Sequence, residues 1–547
     1  MPEVADDTKT ATVRPTQEVD VVIVGAGVAG LYMLYKVREL GLVACVLEAG
    51  DGVGGTWYWN RYPGARCDVE SLQYSYQFSD ELQQEWEWSE RYAGQAEILR
   101  YVNHVADRFD LRRDVHFSTR VESAIFDETS SRWLVATDRG DRVVSRFCVM
   151  ATGCLSSSNL PPFRGRDDFE GESYHTGRWP HEGVDFTGKH VGVIGTGSSA
   201  VQSIPIIAGQ AAEVTVFQRT PNFSVPARNR PMDPEVQAEV KASYTELRRR
   251  AAETAPIILL DRNDASALDA TPAQREAEFE KRWQHGGFAF LGAYIDLSLE
   301  PEANDAAAGF VRRKIREIVD DPETAEVLCP DSTIGCKRLC LDTHYYETFN
   351  KEHVRLVDIR RSGIDEITPR GVRANGTEDP VDCIVYATGF DAMTGALMAI
   401  DIRGRGGAAL RDSWSAGPRT YLGLGTVGFP NLFTITGPGS PSVLANMIPA
   451  IEQHVNWVAD CIRWLEEEGV PTIEPKIEAQ DDWVEHVNEV ASATLLLNCN
   501  SWYLGANVPG KPRVFMPYVG GFPAYSKKCN EVAANRYEGF ALGVASA

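Results

Sequence analysis

Short, continuously apolar runs that stop at glycine clusters recur along this chain. The first is Asp20-Val-Val-Ile-Val24, β-branched and free of polar interruptions, the pattern of a parallel strand covered on both faces. Gly25-Ala-Gly27-Val-Ala-Gly30 follows at once. The spacing then predicts a helix from Leu31 to Leu40, stopped by Gly41, and a second strand, Ala44 to Leu47, ending on Glu48. The same order returns later: a strand over Lys189–Ile194, the turn Gly195-Thr-Gly197-Ser-Ser-Ala200, a helix, and a strand over Val214–Phe217. Strand, glycine turn, helix and strand make a βαβ unit, so the fold class is α/β with two Rossmann-like dinucleotide-binding domains.

The stretches between carry other periods. Glu90–Phe109 has helical spacing, with Ile98, Val102 and Val105 on one stripe. Val115–Phe126 and Trp133–Ala136 alternate like antiparallel strands, and Phe147–Met150 is a strand running into Ala151-Thr-Gly153. Pro226–Pro330 is rich in Ala, Glu and Arg and reads as helical. Thr271-Pro-Ala-Gln274 is a capping box with proline at the first helical position, and Asn304–Asp321 places Phe310, Val311, Ile315, Ile318 and Val319 on one face. Val354–Ile359 and Val381–Tyr386 are strands, the latter ending in a second Ala-Thr-Gly turn at 387–389. Asn431–Gly437 is a strand-to-glycine turn, and Asn446–Glu466 a helix. The pattern divides the chain into a frayed tail (1–18), a first nucleotide domain (19–153 and 390–547), a second (154–225 and 335–389), and a helical insertion in the second (226–334).

The two fingerprints differ where it matters chemically. In such a unit the glycines permit a tight turn and close approach to a pyrophosphate, and an acid at the end of the second strand binds ribose hydroxyls. Glu48 lies 23 residues after Gly25; the residue 23 after Gly195 is Gln218, followed by Arg219-Thr220. The second unit has lost the acid and gained an arginine. A carboxylate repels a 2′-phosphate and a guanidinium binds it, so the second nucleotide is NADP(H). Thr196, Gly197, Ser198, Ser199, Ala200, Arg219 and Thr220 are its candidate contacts, with Lys337 sharing the phosphate.

Composition narrows the class. A chain of 547 residues exceeds one core and predicts two to four domains. The net charge of −23 argues against nucleic acid as a partner. No run of 18 apolar residues exists, and Met1–Glu18 has no apolar stretch of a secretory signal. The 11 cysteines include no C-x-x-C, which fits reduced thiols in a cytoplasmic protein, and the ten histidines show no ligand spacing, so no metal is expected.

Phe169-Glu-Gly171-Glu-Ser-Tyr-His175-Thr-Gly-Arg-Trp179-Pro180 stands just before the second fingerprint. It resembles the F-x-G-x-x-x-H-x-x-x-W-P signature of the Baeyer–Villiger monooxygenases. Gly54-Gly-Thr-Trp-Tyr-Trp-Asn-Arg-Tyr-Pro-Gly-Ala-Arg-Cys-Asp68 resembles that family's FAD-contacting loop, and Gly437–Met447 with the Trp502 loop is similar to its phenylacetone and steroid branch. The resemblance implies FAD and NADPH as cofactors, and reduction of FAD by NADPH. A C4a-peroxyflavin then converts a ketone with a bulky cyclic, aryl or steroid-like frame to an ester or lactone. It implies that Thr56, Trp57, Trp59, Asp68, Tyr74, Val121 and Met447 line the flavin site and that Arg66 and Trp502 touch NADP. Arg338 becomes the catalytic cation, oriented by Asp68. The loop 501–513 has the composition of a lid. Cys336 departs from the family's pattern beside Lys337-Arg338. The signature residues Phe169, Gly171, His175 and Trp179 are read as a hinge or as a packed linker. The expected partners are a small ketone and O2, with no membrane and no obligate protein partner. Alternatives are another two-nucleotide flavoenzyme, acting on sulfur or nitrogen or as a pyridine-nucleotide–disulfide reductase, the last needing a redox-active cysteine pair that the sequence does not show, and a non-catalytic nucleotide-binding scaffold.

Overall fold

A computed structural model describes residues 16–543. Strands β1 (Gln17–Val24), β2 (Ala44–Leu47), β3 (Val115–His116), β4 (Val121–Asp127), β5 (Arg132–Thr137) and β6 (Arg142–Met150) join Asp401–Arg403 and Leu432–Thr434 in one eight-stranded sheet. β1 lies parallel between β2 and β6, with Val21 opposite Ala44 on one side and Phe147 on the other. Its unbroken apolar run is explained by what covers it. Val21 and Ile23 belong to one buried cluster, and Val19, Val22 and Val24 to another on the opposite face.

The second sheet is wholly parallel. β8 (His190–Ile194) is flanked by β9 (Glu213–Gln218) and Cys383–Tyr386, with Val354–Asp358 at one edge and β7 (Glu172–His175) at the other. The stretch after β9 is helical. Thr271 caps Pro272–His285 reciprocally with Gln274, and Phe310, Val311 and Ile315 of Pro301–Ile318 are buried. Phe279, Trp283 and Phe310 join the second sheet's core, while Tyr244 and Ile258 join the first sheet's. The helical segment therefore packs on both.

Several expectations are corrected. Residues 1–15 lie outside the described residues, but Gln17 and Glu18, assigned to the tail, already pair with Val143 and Val144. The helix expected from Glu90 starts at Gln95, because Glu90 and Arg91 run extended against Pro231 and Arg230. Val115–Phe126 is two strands. Ser118 turns left-handed (φ 50°), its N–H binds the Gly50 carbonyl, and β3 lies parallel to β2. The cysteines are not all reduced. Cys336 and Cys499, 163 residues apart in sequence, are brought to a Cα separation of 6.1 Å and joined as a disulfide. That separation is within the ordinary span of a disulfide, and no sequence spacing could have announced it.

Candidate active site

One cavity of about 1380 Å³ takes in both glycine turns. A site for one drug-sized ligand is about 300–1,000 Å³, so the space suits more than one molecule. Gly25 holds φ +104°, and a Cβ there would lie 2.6 Å from the Ala151 carbonyl oxygen. Behind it the helix Val28–Glu39 opens with no side-chain cap and no acid in its first turn. Gly27, Val28 and Ala29 line the cavity, so unpaired N–H groups and the positive end of the helix dipole are presented there. The second turn repeats the arrangement. Gly195 holds φ +115°, and helix Ser198–Ile207 is likewise uncapped and without acid. Both cradles fit the pyrophosphate of a dinucleotide.

The strand ends differ as the sequence arithmetic requires. Glu48 is buried in the cavity wall and accepts hydrogen bonds from the Ala26 and Gly50 amides at 2.6 and 2.7 Å. Burial pushes its titration up, against the pull of those two amides. Gln218 is fully buried and spent on the Val327 carbonyl. Arg219, Thr220 and Lys337 line the cavity beyond it. Burial, and then the charge of Arg219, hold the Lys337 ammonium below its ordinary pKa. Two cations sharing one wall make a seat for an anion.

Between the two cradles Arg338 meets Asp68. Nε donates to Oδ2 at 2.8 Å and Nη2 to Oδ1 at 2.9 Å, a bidentate pair, while Nη1 donates to the Val443 carbonyl at 2.7 Å. The guanidinium lies 4.6 Å from the Phe288 ring centroid. Burial works against the charge on Arg338, but Asp68 outweighs it and raises the pKa above the usual arginine value. The two side chains keep 24% and 28% of their surface, and both line the cavity. A fixed cation with its counter-ion is thus presented to whatever fills the space.

Known proteins carry the same build. Residues 22–285 match the family model for pyridine nucleotide-disulphide oxidoreductase. The chain is 44% identical to a Baeyer–Villiger monooxygenase of Pseudooceanicola batsensis over 525 residues, 95% of each chain. It is 43% identical to the acetone monooxygenase (methyl acetate-forming) of a Gordonia species over 531 residues, 96% of this chain and 99% of that one. The structure of oxidized steroid monooxygenase bound to NADP superposes with a TM-score of 0.92 at 55% identity, over 96% of this chain and all of that one. The chain belongs to the Baeyer–Villiger monooxygenase family.

In this family member the other residues singled out fall into two groups. Thr56, Trp57, Trp59, Tyr74, Val121 and Met447 line the cavity, as do Arg66, Thr196, Gly197, Ser198, Ser199 and Trp502. Trp57 Nε1 donates to Tyr74 Oη at 3.1 Å, which fixes both rings. Arg66 is held by Glu90 and the Tyr92 carbonyl. Gly30, Ala200, Phe169, Gly171, His175 and Trp179 do not reach the cavity. Gly30 and Ala200 sit behind the turns. The signature forms β7 and the turn after it, at the edge of the second sheet. Trp179 is buried in that sheet's core. Gly171 leaves no space for a side chain, since a Cβ would lie 2.5 Å from the Asp382 carbonyl oxygen. His175 Nδ1 accepts the Gly177 N–H at 2.9 Å, so the proton sits on Nε2, which lies 3.3 Å from both the Asn159 carbonyl oxygen and Thr388 Oγ1. Burial lowers its pKa to about 4.

Four residues escaped the sequence reading. Gln202 pairs with the Tyr62 hydroxyl and the Arg66 backbone. Asn159 Nδ2 donates to the Asn507 carbonyl, and Asn507 Nδ2 to the Phe390 carbonyl. Lys511 holds Asp391 at 2.5 Å. The last three tie the 501–513 loop to the crossovers after β6 and after strand Cys383–Tyr386. They lie in loops without periodicity, so no local signal marked them.

Proposed function

We propose that this protein is an FAD- and NADPH-dependent Baeyer–Villiger monooxygenase that turns ketones into esters or lactones and the second oxygen atom of O2 into water. The bidentate Asp68–Arg338 pair, set in one cavity between two pyrophosphate cradles, carries the reading. Bound FAD would supply two-electron transfer from NADPH and the activation of O2. The chain's own residues do the rest. The turn at Gly25–Gly30 and Glu48 hold the flavin dinucleotide, and the turn at Gly195–Ala200 holds the nicotinamide dinucleotide. Arg219 and Lys337 select the 2′-phosphate. Arg338 stabilises negative charge as it develops on the oxygen of the attacked carbonyl. Asp68 and the Val443 carbonyl keep the guanidinium aimed. The signature, through β7 and His175, braces the edge of the second nucleotide domain, and the domain boundaries are those set out above with the first domain beginning at Gln17.

The 55% identity to a steroid monooxygenase, against 43% to an acetone monooxygenase, favours a bulky cyclic, aryl or steroid-like ketone. The site's partners are that ketone and O2. Among the described residues no helix is long and apolar enough to cross a membrane, and nine buried free thiols accord with a cytoplasmic setting. A panel from acetone to steroid ketones, with amines and sulfides included, tests the reading. Mass spectrometry should find esters or lactones, most from the bulky ketones. Oxygenation of only the amines or sulfides would replace it.

A further inference from the structure

Cys336 and Cys499 stand apart from the other nine cysteines. All nine others are buried and free, and burial pushes their thiols up, Cys340 to about 11 and Cys45 to about 12. Such thiols are poor nucleophiles; Cys336 is as buried as they are but differs in standing beside Lys337 and Arg338 and within reach of a second cysteine. Cys336 precedes Lys337 and Arg338, in the loop after helix Pro322–Leu328, and is fully buried. Cys499 is half-buried, lines the cavity with Asn500, and precedes the turn that carries Trp502. The disulfide therefore spans from the segment that bears Lys337 and Arg338 to the near end of the lid. The lid's far end is held by exchangeable contacts: Asn507 to Phe390 at 2.7 Å, and Lys511 to Asp391 and to the Ala392 carbonyl at 2.5 and 2.8 Å. At its near end the segment before Cys499 is fastened by the Leu495 amide on the Ser298 carbonyl at 2.9 Å. The disulfide is the covalent fastening.

We propose that Cys336 and Cys499 are a redox-operated clasp that, when oxidised, holds the Trp502 loop closed over bound NADP(H) and, when reduced, lets it open. The oxidant is hydrogen peroxide, the product formed when an NADPH-dependent oxygenase passes two electrons to O2 without a substrate. The Cys499 thiolate, the more exposed of the two, attacks one peroxide oxygen. The O–O bond breaks, water leaves after protonation, and Cys499 becomes a sulfenic acid. The Cys336 thiolate attacks the Cys499 sulfur, the S–O bond breaks, and a second water leaves. Two thiols and one H2O2 give one disulfide and two waters, with two electrons moved from sulfur to oxygen. Futile turnover would thus close the lid and retain NADP⁺.

The clasp rests on the second cradle binding NADP(H), as proposed above, and thermodynamic linkage gives a test that needs no turnover. If the disulfide tightens NADP⁺ by some factor, NADP⁺ must make the disulfide harder to reduce by the same factor. Calorimetry on the FAD-loaded protein would give the Kd of NADP⁺ for the peroxide-treated and the phosphine-reduced forms. Equilibration in dithiothreitol buffers, with and without saturating NADP⁺, would give the opening constant, read as the Glu317–Lys337 to Ile477–Arg513 tryptic cross-link. Both ratios should agree at about fivefold to a hundredfold. The affinity ratio should fall to one in Cys336→Ser and Cys499→Ser, which cannot form the cross-link. Equal NADP⁺ affinity in the two forms overturns the clasp, even if the melting temperatures differ, since the bond is then a staple. Failure of peroxide to join the two peptides also overturns it. Absence of NADP⁺ binding in every form instead removes the nucleotide assignment beneath it.

Discussion

Single residues decide which nucleotide enters and what is done to the substrate. Arg219 lines the cavity just past the end of β9, one residue beyond the position that corresponds to Glu48. A charged hydrogen bond to a phosphate contributes roughly 1.5–3 kcal/mol, so Arg219→Ala should raise the KM for NADPH about tenfold to a hundredfold. The KM for NADH should hardly change. Lys337, which burial and then Arg219 hold below its ordinary pKa, remains as a second cation, so the single variant understates the selectivity. Steady-state kinetics with both cofactors checks this, and equal effects on the two would remove Arg219 from the phosphate site. His175 gives a pH prediction. Its folded pKa of about 4 lies below the ordinary 6.5, with burial as the main cause. The neutral form is favoured by folding, so its contribution is full above pH 6.5 and is lost as pH falls towards 4. From pH 6.5 to 5 the loss is about 1.6 kcal/mol at 1.36 kcal/mol per unit, because the unfolded imidazole is only half protonated at the start. His175→Asn keeps an acceptor for the Gly177 amide but does not titrate. Its melting temperature should fall less than wild type's over that range; parallel curves would show that His175 is not the group responsible.

Secondary-structure elements explain why two fingerprints of nearly the same sequence are not interchangeable. A Cβ on Gly30 would lie 1.8 Å from the Gly25 carbonyl oxygen, backbone that cannot swing aside. The corresponding position of the second turn is Ala200, fully buried and accommodated. Gly30→Ala should therefore displace the helix Val28–Glu39 from β1 and lose FAD, seen as a fall in the flavin-to-protein absorbance ratio. Ala200→Gly should cost only about 0.5–1 kcal/mol, the entropy of a helical glycine. Full FAD content in Gly30→Ala would mean that this turn is looser than its geometry. The elements were legible in the sequence for the same reason. Turn glycines, β-branched runs and the Thr271 capping box act over a few residues. What was not legible acts at long range. The Asn159–Asn507 contact spans 348 residues, and the Cys336–Cys499 bond joins two loops with no period of their own. The start of the helix at Gln95 was misplaced because Arg91 is drawn instead to the Arg230 carbonyl. The candidate site was legible where a backbone turn makes it, and hidden where tertiary contacts do.

At the scale of the molecule, the fold sets a cation between two dinucleotide cradles. Arg338 follows the helical segment and Asp68 follows the Trp57 loop, 270 residues apart. That segment packs against both sheets, and the Val443 carbonyl holds Arg338 from the first domain's side. Removing Asp68 would leave a buried guanidinium unpaired, at a cost of about 3–5 kcal/mol, so Asp68→Ala confounds stability with chemistry. Arg338→Ala leaves the Asp68 carboxylate without its partner in turn, so its melting temperature is read beside its kinetics; it addresses the central claim that this guanidinium stabilises charge during oxygenation rather than bracing the interior. The deciding measurement is the rate of ester or lactone formation by Arg338→Ala, taken alongside its FAD content and its affinity for NADPH. Both nucleotides should still bind, while product formation should fall about 100- to 1,000-fold, the loss typical of a missing oxyanion donor. A variant that binds both and makes ester at near the wild-type rate would contradict the account, and Arg338 would then be only a structural charge.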